Sequence, residues 1–331
     1  MNAPFIYFGG KRDVAEIVWE ALGEVATYIE PFFGSGAVLL NRPNYTPEKH
    51  FEIINDADGH VSNVWRALQA DPDAVATICD WPVNHADLAA RRKQLYEQGT
   101  TLLDHLITDD KYYDVQLAGY WIWCAGCWIG DGMTKAPKTQ GIGKIPNIGN
   151  ASGVHKKTIM VMKSMIDHAN KAGIILDVHD EYLTGIYAWF RELSERLRTV
   201  RVVCGDWARV CGGNWHDKSG ICGIFLDPPY ATETREMVYQ VDSITVAHDV
   251  REWARVLGKK RTYRIVLAGY YDEHKELLAE GWKGYAWEAV GGFANQGRED
   301  SQGKQNKQKE YLFLSPYCCK LDAHCQLELG F

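Results

Sequence analysis

The sequence predicts an α/β protein: a mostly parallel, Rossmann-like sheet with helices on both faces, closed by a C-terminal antiparallel hairpin and interrupted by a mainly helical insertion. Three observations predict it. A short strand, a glycine turn and a helix start follow one another near the N-terminus, from Ala26 to Leu40. A second apolar run, Ile221 to Leu226, reads as a buried strand and ends in Asp227-Pro228-Pro229-Tyr230. The two motifs stand far apart in the chain, although ligands of open α/β sheets bind where strand ends meet. Strands of one sheet are usually joined by a few residues plus a helix, so residues 71–195 must hold more than the minimal sheet.

The tetrad carries the chemistry. It fixes a carboxylate, two imino acids and an aromatic ring at the C-terminal end of a strand, the ligand side of such sheets. Each proline locks its own φ and biases the preceding residue to an extended conformation, so the geometry is set before a ligand arrives. Work on the exocyclic amino group of a planar base needs this set. A carboxylate and a backbone carbonyl accept the amino hydrogens, and the ring stacks on the base.

The N-terminal unit reads as the first βα turn of a nucleotide-binding sheet. Ala26 to Glu30 is the strand, Pro31-Phe32-Phe33-Gly34-Ser35-Gly36-Ala37 the turn, and Val38-Leu39-Leu40 the start of a helix. Gly34 and Gly36 let the backbone approach a ligand closely. The dinucleotide fingerprint fails because Leu39 stands where its third glycine belongs, and no Gly-Lys-Ser/Thr follows to make a phosphate loop. The pocket is therefore expected to hold a nucleoside without a pyrophosphate. Asp56 ends the next apolar stretch, Phe51 to Asn55, about 20 residues on, where an acid grips ribose hydroxyls in such folds.

At these residues the chain resembles the DNA adenine methylase family, amino-methyltransferases that use S-adenosylmethionine. Tyr7-Phe8-Gly9-Gly10-Lys11 is similar to the family's Trp-Ala-Gly-Gly-Lys segment, with Tyr7 in place of tryptophan. Glu30 to Gly36 resembles its cofactor loop, and Asn55-Asp56 its ribose-binding acid. Val203 to Asp206 resembles the strand and turn before the tetrad, Tyr239 to Trp253 and Arg264 to Gly269 the helix and strand after it, and Lys309 to Leu314 the closing strand. The resemblance implies a class I S-adenosylmethionine-dependent methyltransferase with an inserted target-recognition domain. It divides the chain into a catalytic domain of residues 1–70 and 196–316, an insertion of 71–195 and a tail of 317–331. It implies cofactor contacts from Tyr7, Lys11, Glu30, Pro31, Phe32, Gly34, Gly36, Asp56 and Asp227, and catalysis by Asp227, Pro228, Pro229 and Tyr230. The acceptor it implies is N6 of an adenine flipped out of double-stranded DNA. N4 of cytosine, an RNA or protein glutamine acceptor, and a catalytically silent DNA-binding module are the alternatives.

Within the insertion the residues suggest helices over Asp87 to Glu97, Tyr112 to Trp128, Lys157 to Ala172 and Glu181 to Arg198. A basic, glycine-rich stretch carries Lys135, Lys138, Lys144, Asn147, Asn150, Lys156 and Lys157, side chains suited to phosphates and base edges. These are the candidate DNA contacts. The polar stretch Phe293 to Lys309, with Arg298, Lys304 and Lys307, reads as an exposed hairpin loop. The aromatic run Tyr120-Trp121-Ile122-Trp123 and Trp128 has the composition of a core helix.

Composition narrows the class. Hydrophobic residues make up 46% and charged residues 24%, ordinary values for a soluble globular protein. No apolar run reaches transmembrane length, and the N-terminus lacks a basic segment followed by an apolar one, so a cytoplasmic protein is expected, nucleoid-associated or, for a phage-encoded chain, in the host cytoplasm. The net charge of −7 argues against non-specific coating of nucleic acid and leaves room for a local basic track. Nine cysteines without a small-scaffold pattern suggest reduced thiols. Cys124 and Cys127 have zinc-ligand spacing without a matching second pair, so no metal is expected. A cytosine C5 enzyme would need a Pro-Cys nucleophile, and the chain contains no such dipeptide. No obligatory protein partner is evident.

Overall fold

The computed structural model describes residues 1–5, 7, 9–128, 133, 181–213, 220–230, 245–287 and 310–321. The chain forms two compact units, one of Met1–Ala3, Phe8–Asp56 and Thr199–Phe331, the other of Pro4–Tyr7 and Ala57–Arg198.

The first unit is built on a seven-stranded sheet. Its strands are β1 (Thr27–Glu30), β2 (Phe51–Asp56), β3 (Arg201–Cys204), β4 (Cys222–Leu226), β5 (Tyr263–Tyr270), β6 (Lys283–Ala286) and β7 (Glu310–Leu314), in the order β3-β2-β1-β4-β5-β7-β6. β1 to β5 are parallel, and β7 runs antiparallel to both β5 and β6. The sheet is mixed and mostly parallel, as the sequence predicts. β4 lies between β1 and β5, and all of its residues are buried, which is why it reads as an unbroken apolar run without alternation. Ile29, Ile224, Leu226, Ile265, Leu267 and Phe313 anchor a core covering one face.

Short helices join the strands. α1 (Ala15–Leu22) buries Ala15, Val18, Trp19 and Leu22, the one-sided stripe of an amphipathic helix. α2 (Ala37–Leu40) is a single turn after the glycine loop, and all four of its residues are buried. Beneath it, the Arg42 guanidinium donates to Glu52 Oε1 at 3.0 Å and to the Val25 carbonyl, and sits 5.0 Å from the Trp19 ring centre. This pair is deeply buried, with side-chain exposures of 2% and 0%.

The second unit is helical in its described residues: α3 (Gly59–Ala70), α4 (Pro72–Cys79), α5 (His85–Thr108), α6 (Val115–Cys127) and α7 (Glu181–Leu197). The first four start on side-chain caps: Asp58, Asp71, Asn84 and Asp114 each accept a backbone N–H of the first turn. Burial pushes the Asp58 carboxyl up to about 6 despite the His60 and Val61 N–H groups it accepts. α5 runs well past the predicted Glu97, because Leu88, Leu95, Leu102 and Leu106 carry one buried stripe through Gly99. α6 packs on α3, α4 and α5, and Trp121 and Trp123 are buried, so the aromatic run is core. α3, read from sequence with the catalytic segment, packs here against α5, α6 and α7, and the unit's longer segment runs from Ala57. Cys124 is buried within α6, which pushes its thiol up to about 12. Among the described residues no group of His, Cys, Asp and Glu is placed to hold a metal ion, and no helix is long and apolar enough to cross a membrane.

Candidate active site

Where β1 has β2 on one side and β4 on the other, the connections leave in opposite directions and the strand ends open a crevice. Register puts Ile29 beside Ile224 and Glu30 beside Ile54. The glycine loop after β1, Asp56 at the end of β2 and the tetrad after β4 are therefore neighbours. Folding thus brings together two motifs that the sequence holds far apart.

The loop is tied down by backbone geometry. Gly34 and Gly36 have φ of 48° and 66°, in the left-handed region that glycine enters without a Cβ penalty. At Gly36 a Cβ would lie 2.5 Å from Phe33 Cζ, so the turn has no room for a side chain. Gly34 N–H donates to Asp56 Oδ2 at 2.9 Å, and Phe33 N–H to the Asn55 carbonyl at 3.0 Å. The Asn55 amide donates to the Pro31 carbonyl at 3.0 Å and the Gly205 carbonyl at 2.9 Å, joining the loops after β1 and β3 to β2. Its own Oδ1 is buried without a partner among the described residues.

Glu30 is turned inward and is 2% exposed. Its carboxyl accepts from the Tyr28 hydroxyl at 2.8 Å and from the Leu39 N–H of α2. Burial, helped by the neighbouring Asp227 and Glu52 carboxylates, pushes it well above the usual carboxylate range, against those two donors.

At the tetrad, Lys11 Nζ lies 2.9 Å from Asp227 Oδ2 and 2.8 Å from the Gly9 carbonyl. Lys11 is 5% exposed and Asp227 20%, so the cation is nearly enclosed and the carboxylate keeps one side open. The ammonium also sits 5.5 Å from the Tyr230 ring centre and 5.9 Å from that of Trp287. The Tyr230 ring packs on Tyr270, at the end of β5, with centroids 4.7 Å apart, and its hydroxyl lies 3.4 Å from Asp227 Oδ1. Pro228 is buried and Pro229 half-buried.

Tyr7 belongs to the helical unit, where it packs near Phe5 and Trp121 with centroids 6.1 and 6.2 Å away. Phe32 packs partly buried against the sheet core. Lys135, Lys138, Lys144, Asn147, Asn150, Lys156 and Lys157 lie outside the described residues, as do the predicted helix Lys157 to Ala172 and the stretch Phe293 to Lys309. Three residues at the site escaped the sequence reading. Tyr270 and Glu310 sit at strand ends that only sheet register brings beside the tetrad, and Trp287 follows β6.

This sheet, presenting a glycine turn and an Asp-Pro-Pro-Tyr loop at adjacent strand ends, is consistent with the class I methyltransferases. Residues 7–136 match the model of the D12 class N6 adenine-specific DNA methyltransferases. That match supports an enzyme that methylates adenine in DNA at N6. The match covers the glycine loop and Asp56; the tetrad lies beyond it. No curated protein matches the chain.

Proposed function

We propose that the methyl donor is S-adenosylmethionine, held at the β1–β2 end of the crevice, and that the target adenine is flipped out of duplex DNA against the tetrad. The observation that carries this reading is the convergence of the glycine loop, Asp56 and Asp227 on adjacent strand ends, with Lys11 on Asp227. The donor set fits the cofactor. Asp56 suits a ribose diol, the glycine turn allows close backbone approach, and the orphaned Asn55 Oδ1 is an acceptor beside the loop. When bound, S-adenosylmethionine supplies an electrophilic methyl group.

The chain's own residues do the rest. An adenine inside a duplex is out of reach, and extruding it costs on the order of a few kcal/mol. Tyr230 offers a ring face to the extruded base and recovers part of that cost by stacking. Asp227 and the Pro228 carbonyl accept the two N6 hydrogens, which draws the nitrogen lone pair out of ring conjugation and towards the methyl group. Lys11 holds Oδ2 and so fixes the Asp227 rotamer, leaving Oδ1 to face the amine. As N6 becomes positive, the carboxylate stabilises it and takes its proton or passes it to water. The helical unit would supply target recognition, with Lys135 to Lys157 as its basic track. The enzyme would work in the cytoplasm.

Purified protein given methyl-deuterated S-adenosylmethionine and unmethylated duplex DNA is expected to place the label on N6 of adenine, read by nucleoside mass spectrometry. Label on cytosine N4, on RNA or on protein, or no label from a folded protein, would contradict the reading.

A further inference from the structure

Glu310 opens β7, in register with Tyr270 at the end of β5, and its carbonyl accepts the Trp287 N–H at 3.2 Å. Its backbone is thus held from both sides, and its side chain is directed at the tetrad: Oε2 lies 3.4 Å from the Tyr230 hydroxyl. The same hydroxyl is 3.4 Å from Asp227 Oδ1. A phenol has one proton to give, and an ionised carboxylate has none. Both contacts are full two-centre hydrogen bonds only when one of the two carboxyls carries a proton, which it donates to the phenol oxygen; otherwise the one O–H is shared between them.

The surroundings decide which. The Lys11 ammonium sits on Asp227 at 2.9 Å, so that carboxyl already has a cationic donor and Glu310 is the one left to face the phenol. We propose that Glu310 is a positioning residue for methyl transfer: as a neutral acid it donates to the Tyr230 hydroxyl, which donates in turn to Asp227, setting both the stacking ring and the acceptor carboxylate. This rests on the reading of the tetrad given above. Burial, with Asp227 adding to it, raises the Glu310 carboxyl from its ordinary value, while Lys11 and the Tyr230 hydroxyl oppose the rise. Among the described residues, the groups facing Glu310 are Lys11 from the N-terminal turn, Asp227 and Tyr230 from the loop after β4, and Tyr270 from β5. Both contacts are long for hydrogen bonds, at 3.4 Å.

The test compares wild type, Glu310→Ala, Glu310→Gln, Tyr230→Phe and the Glu310→Ala/Tyr230→Phe double variant, using S-adenosylmethionine and duplex DNA across pH. Glu310→Ala is expected to lower kcat about 10- to 100-fold, the scale of a misplaced reacting group, with KM for S-adenosylmethionine within about twofold. Glu310→Gln is expected to keep kcat within a few-fold, because its amide still donates to the phenol. The active form is protonated, so wild-type kcat should fall as pH rises through the raised Glu310 pKa, and this fall should be absent in Glu310→Gln. Adding Glu310→Ala to Tyr230→Phe should cost nothing further. Three results would overturn the assignment: a wild-type kcat in Glu310→Ala, a Gln variant as impaired as Ala, or multiplicative losses in the double variant. If Glu310→Ala does not fold, the pH profile of Glu310→Gln decides. A wild-type protein that methylates no DNA would instead remove the tetrad reading itself, and this assignment with it.

Discussion

Asp227→Asn is expected to lower kcat by about 10²- to 10³-fold, the range seen when one preorganised group aimed at developing charge is removed. The protein should still fold and still bind S-adenosylmethionine. Asparagine keeps an oxygen for Lys11 to donate to, so the nearly enclosed ammonium stays hydrogen-bonded. What is lost is the negative charge opposite N6 and the second acceptor oxygen, which becomes an NH2 donor. Asp227→Ala would mix this with another effect, because it leaves the Lys11 cation buried without a counter-ion. Single-turnover methyl transfer, with a denaturation curve for the same preparation, separates the two. A near-native rate in a folded Asp227→Asn protein would remove the carboxylate from the chemistry.

Arg42→Ala is expected to cost about 3–5 kcal/mol of stability, because it strands the Glu52 carboxylate in the interior. No exposed surface is there to relieve it, and the fully buried Tyr28 and Glu30 sit within reach of the same charge. The loss is large against the roughly 5–15 kcal/mol that holds a typical domain folded. Since Arg42 lies just after α2, the cofactor loop should loosen with it. Replacing both partners with apolar residues of similar volume, Arg42→Met with Glu52→Leu, should recover most of the stability. Urea denaturation of the single and double variants checks this. A single variant within about 1 kcal/mol of wild type would show that the pair is not carrying its share of the interior.

The parts of the site legible in the sequence are those whose residues are contiguous. The tetrad and the glycine loop each declare their own strand end, and the apolar run before Asp227 already has the composition of a central parallel strand. The closing strand was legible too, over Lys309 to Leu314, through its resemblance to the family's last strand. That its first carboxylate faces Tyr230 was not, because this depends on an antiparallel register with β5 that no local signal encodes. Lys11 stood out in its motif, yet its ion pair with Asp227 depends on two loops meeting across the sheet. The helix expected from Asp87 ends at Glu97, just before Gly99, Thr100 and Thr101, residues of weak helix propensity. Tertiary packing of Leu102 and Leu106 overrides that weak propensity. Glu30 is a further case. The family resemblance implies a cofactor contact for it, and the fold adds hydrogen bonds from Tyr28 and α2 that no local signal announces.

The most direct test is a crystal structure of the enzyme with a non-reactive S-adenosylmethionine analogue and duplex DNA containing the target site. The account predicts an adenine swung out of the helix, with N6 within hydrogen-bond reach of Asp227 and the Pro228 carbonyl and its ring on Tyr230. A target adenine still stacked in the duplex, or an extruded base bound away from Asp227, would contradict it.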